Sequence, residues 1–587
     1  MQLNFSKYFV SYQNGALRWI KSGDIEIIRM IYAAVRDHNW GTIEPEVVNE
    51  KIQQTATGFK IKVSLKYKKD NIDFEAEYLI SGTGHELIFE MYGEAKSTFR
   101  TNRVGFCVLH PIKACAGKIC TLNHPDGTVE KAVFPELISP IQPMFNISEM
   151  EWSPAPGISA KLRFLGDVFE MEDQRNWTDA SYKTYCRPLG LPFPFEIKNG
   201  EKIHQKIILE IRDETPNEIG SSCYTLNIDE EKTYRIPEIG VCSTSRNEPF
   251  EAQEAELLRI LPIKHLRTEV RLFEPNWKSV LNRAITEASL LETSLFLVIY
   301  LSPKYEIEIT ELRNFWRNER VPVKYVMVVG KNHLHDDLIF DAVVDDLKFI
   351  FPKACIGAGV NAYFAELNRN RPTTKNAGFI SFAVCPQVHA VDDLTLIENL
   401  EAQKYAVESA LELFPGKPVF VSPVTLKQRF NVVATDIEEP MPVAGELPPQ
   451  VDARQNSEFA ALWMLGSLKY LAQSGADLVT FFESAGWCGI IQGNFNPPVP
   501  EKFNAQMGDI FPVYHVLKEL KGFTEIIYSN SSHPLLFDGL VVKSENKSKL
   551  FLVNFSDSDI EIQIKTLNSG RRIRLGRNEK KLQIFSL

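Results

Sequence analysis

No lysine- or arginine-rich tract occurs in this 587-residue chain, whose formal net charge is −10. The electrostatic footprint of a nucleic-acid binder is therefore missing, and an anionic ligand needs a local positive pocket against that field. No apolar run is long enough to cross a bilayer, and the opening MQLNFSKYFVSYQNGALRWIKSGD has no apolar signal-peptide core. Both absences point to a soluble cytoplasmic protein with no membrane partner. The nine cysteines, at 107, 115, 120, 186, 223, 242, 355, 385 and 488, are odd in number and form no C-x-x-C pair, which predicts reduced thiols rather than a disulfide framework. H-E-x-x-H, zinc-type Cys/His spacing, the G-x-S-x-G elbow, the Walker loop and the dinucleotide fingerprint are all missing. We therefore expect no metal, no cofactor and no serine triad of the elbow type. HLHDD (333–337) looks like a ligand cluster, but it falls in the loop after a predicted strand and is expected to be solvated.

Composition is otherwise that of a globular protein, with 44% hydrophobic and 24% charged residues, and the length calls for two or three domains. Residues 1–235 read as β-rich. FKIKVSLKY (59–67) alternates apolar and polar residues, and FEAEYLISG, HELIFEMYGEA, RVGFCVLHP, KLRFLGDVFEME and KIHQKIILEI continue the pattern. Many strands with little helix between them predict a large N-terminal β-sandwich. From 236 to 524 short apolar runs alternate with amphipathic segments: IGVCSTS, LRTEVRLF, LFLVIYLS, KYVMVVG, ACIGAGVNAYF, FISFAVCPQVH, PVFVSPVTL and ADLVTFFESAG. Eight such β-α units predict a central (β/α)8 TIM-type barrel, with an open doubly wound sheet as the alternative. Residues 525–587 return to strands and are expected to form a small C-terminal β-sandwich. The irregular connection 430–455 after the seventh barrel strand is long for a loop and suits a lid over a site.

In such barrels the chemistry sits at the C-terminal ends of the strands. The second strand offers Glu269, Arg271 and Glu274; Glu269 and Arg271, two apart, share a face and can pair there. The fifth offers Asn361, Tyr363, Glu366 and Asn368. The sixth ends in Cys385, Gln387 and His389. The seventh gives Ser422, Thr425, Lys427 and Arg429. The eighth ends in Glu483, directly after ADLVTFF and before the small-residue turn SAGWCG. Glu483, His389 and Glu366 are the candidate acids and bases. Each also has a structural reading, as a strand-end carboxylate or a core histidine.

One stretch of the first domain stands apart. EDQRNWTDASYKTY (172–185) is charge-dense and aromatic with no large aliphatic residue. Glu172, Asp173, Asn176 and Asp179 cannot all be buried unpaired. Either they satisfy one another in a plug, or Glu172, Asn176, Trp177 and Asp179 present rings and acceptors to a sugar-sized ligand.

EDQRNWTDASYKTYCRPL, CPQVHAVDDLTLIENLEAQ, SPVTLKQRFN and VDARQNSEFAALWMLGSLKYLAQSGADLVTFFESAGW resemble the D-apionate lactonase family, and the resemblance runs over nearly the whole chain in the order β-sandwich, barrel, β-sandwich. It implies hydrolysis of a small-molecule sugar lactone, D-apionolactone, to D-apionate in the catabolism of apiose. It carries no settled catalytic assignment. The residues themselves offer Glu483 or His389 to activate water, Arg271, Asn361 or Gln387 to polarise the carbonyl, with Glu269 beside Arg271, and the 172–179 group for the hydroxyls. A lactone is already an activated ester, so no metal is required. Two other functions fit the architecture. A glycoside hydrolase would use Glu366 and Glu483 as its facing carboxylates, but the Asn-Glu pair expected at the end of the fourth strand is missing from VMVVGKNH. A non-catalytic carbohydrate-binding protein is the third. Oligomeric state is not legible.

Overall fold

The structure, a computed structural model, describes residues 1–215, 224–246, 249–317, 319, 321–432, 445–566, 570–575 and 582–586. These fall into two compact units. One holds residues 1–175 and 180–215; the other holds Asn176–Asp179, the chain from 224 to 430, and the described residues beyond 445.

The first unit is built from two nine-stranded antiparallel sheets. Alternation does what the sequence predicts: in Gly58–Lys69 the apolar residues Phe59, Ile61, Val63, Leu65 and Tyr67 turn inward and the lysines turn out. The two sheets stack through aromatic contacts, with Phe89 against Phe106 at 4.9 Å and Phe5 against Phe59 at 6.0 Å. Strands Phe169–Asp173 and Ser181–Tyr185 pair in one of these sheets and are buried along their whole length. Their polar residues answer one another: Lys183 pairs with Glu172, and Arg175 donates to Asp173 at 2.9 and 2.7 Å and to the carbonyls of Pro135 and Glu136 at 2.8 Å each.

The second unit contains the closed barrel. Its strands are β1 (Glu238–Cys242), β2 (His265–Arg271), β3 (Ser294–Leu301), β4 (Val323–Gly330), β5 (Cys355–Gly359), β6 (Ile380–Val384), β7 (Val419–Val424) and β8 (Leu478–Glu483). Each pairs in parallel with the next, and β8 returns to β1. The intervening helices are α1 (Ala252–Arg259), α2 (Trp277–Leu291), α3 (Tyr305–Trp316), α4 (Asp337–Ile350), α5 (Phe364–Arg369), α6 (Asp393–Leu413) and α7 (Glu458–Gln473), and α8 (Pro512–Glu519) lies after β8. Phe296, Val298, Tyr300, Met327, Val329, Phe379, Phe420 and Leu478 fill the interior, Phe379 stacking on Phe420 at 4.2 Å. The open doubly wound alternative is thereby excluded.

The strand Tyr224–Arg235 corrects the expected boundary at 235. It does not close the first domain: it pairs with Glu525–Ser531 and Ile560–Lys565 of the tail. Alternation marks a strand but carries no information about its partner. The tail strands, with this one, form a single hydrogen-bonded path of seven strands around one apolar core that includes Leu226, Phe537, Leu552 and Ile562.

Candidate functional site

Parity places the polar groups at the mouth of the barrel. Interior residues Phe296 and Val298 of β3 stand opposite Arg267 and Glu269 of β2, so those two side chains share the inner face. Arg267 is buried and donates from Nη1 to Glu269 Oε1 at 2.8 Å and from Nη2 to Asn361 Oδ1 at 2.5 Å. Arg429, after β7, pairs with the same Glu269 carboxylate and donates to Asn361 O at 2.9 Å and Asn361 Oδ1 at 2.8 Å. Tyr300 Oη donates to Glu269 Oε2 at 3.1 Å, meets His333 Nδ1 at 2.9 Å and is bonded by Asn361 Nδ2. His333 stacks on Phe430, 3.9 Å between centroids.

Two guanidinium groups on one carboxylate set the local electrostatics. Burial alone would raise the Glu269 carboxyl, but Arg429 and Arg267 overcome it and hold it far below the usual range. Burial pushes His333 down to about 4, so its ring is neutral. Arg429 bears on the ionisation of Glu269, Tyr300, His333, Tyr363, Cys242, Cys385 and Glu483. Its contacts with Glu269 and Asn361 hold this cation in the mouth.

Glu483 ends β8 at an irregularity. The register against β1 runs from Gly240↔Thr480 to Cys242↔Glu483, one extra residue on β8, a bulge that bends the strand and re-aims the side chains beyond it. Phe482 has φ of 56°, a left-handed conformation that a bulky residue adopts only under local constraint. The constraint is the turn after β8: Glu483 N donates to Cys488 O at 2.9 Å and Gly486 N to Ile491 O at 2.9 Å. Oε2 of Glu483 accepts from Ser245 N at 2.9 Å. Burial pushes the carboxyl up to about 7, against the opposing pull of Ser245, Arg283 and Arg429. A carboxyl poised there exchanges a proton with water near neutrality.

His389 sits in a second cluster. Its Nδ1 meets Asp179 Oδ2 at 2.6 Å; Asn399 Nδ2 donates to Asp179 Oδ1 at 3.2 Å and to Pro386 O at 3.0 Å. The Asp179 carboxylate fixes the orientation of the His389 ring through Nδ1. Trp177 packs edge-on to His389 at 5.5 Å, under the Arg369 guanidinium at 5.0 Å, and Asn176 accepts from Asn368 at 3.2 Å.

Several expectations are corrected. Arg271 does not pair with Glu269: it reaches Glu274 at 3.5 Å and lies over the Tyr300 ring at 5.0 Å, because Arg267 and Arg429 already take that carboxylate. Glu366 accepts from Tyr363 N at 3.0 Å at the start of α5, the third helical residue reaching back to the cap. Burial raises it to about 7, but its oxygen closes a helix end. Gln387 spends its amide N–H groups on Leu426 O at 2.6 Å and Asp452 Oδ2 at 2.5 Å. Glu172 belongs to the first unit with Lys183. His333 of HLHDD is not a solvated residue but part of the mouth, while His335 pairs with Asp337 at 2.8 Å. Among the described residues no three His, Cys, Asp or Glu side chains converge as metal ligands. Residues 433–444 of the loop 430–455 lie outside the described residues.

Arg267, Tyr300 and Arg429 were the residues least visible in the sequence. Arg267 had one usable signal, its two-residue spacing from Glu269. Arg429 stands among other polar residues after the seventh strand, with nothing in its spacing to single it out.

Two family models match the chain: D-apionate lactonase, N-terminal domain, over residues 1–214, and D-apionate lactonase, TIM barrel domain, over residues 239–525. The D-apionate lactonase of Brucella anthropi is 28% identical over 563 residues, covering 89% of this chain and 88% of the relative. Among solved structures, a GH30 endoxylanase from Clostridium papyrosolvens C71 is 10% identical, covering 62% of this chain and 97% of its own, with a TM-score of 0.39. A conserved exported protein from Bacteroides fragilis is 8% identical over 62% of this chain and 100% of its own, with a TM-score of 0.42. These two likenesses are too loose to speak to function. With both of its matched regions in register with one family, this chain belongs to the D-apionate lactonase family.

Proposed function

We propose that the protein hydrolyses D-apionolactone to D-apionate in apiose catabolism, and that Glu483 is the general base. The observation that carries the substrate is the near-full-length likeness to the Brucella anthropi lactonase. The barrel mouth supports the chemistry. Glu483 takes a proton from water as the water oxygen attacks the lactone carbonyl carbon. The carbonyl oxygen gathers negative charge, and Arg429 supplies the nearby cation, already held in place by Glu269 and Asn361 and so needing little reorganisation. The ring C–O bond then breaks, and the protonated Glu483 returns its proton to the departing ring oxygen. The new carboxylic acid ionises, so each turnover releases one proton. His389, Asn176 and Trp177 form a hydroxyl-binding wall, with Asp179 holding the His389 ring.

A glycosidase pair of Glu366 and Glu483 is less favoured, since Glu366 is committed to the α5 cap. A cytoplasmic setting accords with eight described cysteines that are all free thiols. The test is acid release from D-apionolactone. Glu483→Gln is expected to lower kcat by about 10²-fold or more, with activity in the parent enzyme falling below pH about 7 as Glu483 becomes protonated. An unchanged rate would remove Glu483 from the mechanism.

A further inference from the structure

Behind the mouth lies a second carboxylate that this mechanism does not use. Glu287 is on α2 and fully buried, and the Ser243 hydroxyl is the one side-chain donor near its oxygens, neither of which makes a well-formed hydrogen bond among the described residues. The nearest cation is Arg283, one helical turn earlier, whose Nε is 3.9 Å away and is itself without a partner. From the same guanidinium, Nη1 bonds the backbone carbonyl of Arg246. Arg246 comes directly after Ser245, whose N–H is the donor to Glu483. Contacts therefore run from Glu287 through Arg283 and the Ser245–Arg246 backbone to the base. A carboxylate enclosed this completely is costly to keep without a function or a partner.

We propose that Glu287 is a positioning residue for the hydrolytic reaction: it holds the Arg283 guanidinium, which braces the Ser245–Arg246 loop that donates to Glu483, and it offsets the positive charge that Arg283 lends the base. This rests on the reading of Glu483 as the base. The groups acting on Glu287 are Arg283 on its own helix, Arg246 and Ser243 after β1, and Glu254 on α1, which is bound by Arg246 at 2.6 Å. Those acting on Glu483 are Ser245, Arg283 and Arg429, with the thiols of Cys242 and Cys488 beside it. Burial raises the Glu287 carboxyl to about 7, so it ionises over the range in which the enzyme would work. Once ionised, it competes with Glu483 for the charge on Arg283.

The experiment is the pH dependence of kcat/KM for D-apionolactone in the full-length enzyme and in Glu287→Gln, Glu287→Asp, Arg283→Gln and Glu483→Gln. Glu287→Gln leaves Arg283 acting on Glu483 alone, so the acid limb is expected to move down by about half a pH unit to one unit. Arg283→Gln is expected to move it up by a similar amount, and Glu287→Asp to stay near the parent. Arg283 is partly exposed, so its variant serves if the Glu287 variant does not fold. If the acid limbs of the Glu287 and Arg283 variants superimpose on the parent while Glu483→Gln abolishes turnover, the inference is overturned and the base stands. If Glu483→Gln keeps full activity, the assignment of the base fails and the inference falls with it.

Discussion

Two carboxyls near the barrel mouth are pushed to about 7 by burial, and their surroundings separate their roles. Glu483 accepts one backbone N–H and is partly open to solvent, with cations near it; Glu366 is tied to the backbone at a helix start. Glu366→Gln keeps the acceptor oxygen that caps α5, so we expect kcat/KM within a few-fold of the parent, whereas a glycosidase pair would lose most activity. The pH dependence of stability adds a second readout. A carboxyl raised from its ordinary value to about 7 favours the folded state most at low pH, and that contribution is lost as pH rises from about 4.5 through 7. Glu366→Gln should reduce this slope in denaturation midpoints measured across that range, leaving the shares of Glu483 and Glu287. Arg429 is the other decisive residue. Arg429→Met should cost about 10² to 10³ in kcat/KM if the cation stabilises the oxyanion, with the fold retained because Arg267 still pairs with Glu269. A loss confined to KM would make it a ground-state binding residue instead.

At the level of elements, the barrel strands were the most legible part of the chain. Strands covered on both faces read as continuous apolar runs, and β3, SLFLVIYL, is buried from its second residue to its last. Glu483 could be placed for the same reason: it is the first carboxylate after an apolar run. What the sequence could not show was how the turn after β8 aims it. The turn depends on Gly489, where an added Cβ would lie 2.6 Å from the backbone carbon of Ala485. Gly489→Ala should displace the Cys488 carbonyl that accepts from Glu483 N and lower kcat/KM by about tenfold or more, which steady-state kinetics will show. The Asp179–His389 contact was equally hidden, because 210 residues separate its members. Arg271 misled because parity predicts a shared face but not which of several cations a carboxylate takes.

Over the whole molecule, the order β-rich, barrel, β-rich was readable from the changes in periodicity; the structure has two nine-stranded sheets, a closed barrel and a seven-stranded sheet, and the TIM barrel family model matches the barrel region. Sheet membership was not readable, as the strand Tyr224–Arg235 shows by crossing the expected boundary to join the tail sheet. That sheet is fastened to the barrel by an ion pair between Lys469 on α7 and Asp538, both about 3% exposed. Removing one partner strands the other in an apolar setting, so Lys469→Met should destabilise the fold by about 3–5 kcal/mol in chemical denaturation, with the substrate KM unchanged in the fraction that remains folded.

The most direct measurement is proton release from D-apionolactone in weak buffer, tracked from acid to alkaline pH for the parent enzyme and for Glu483→Gln. We predict lactone opening that declines below pH about 7 in the parent and is lowered about 10²-fold or more in the variant. No proton release from the lactone, or a variant as fast as the parent, would contradict the account.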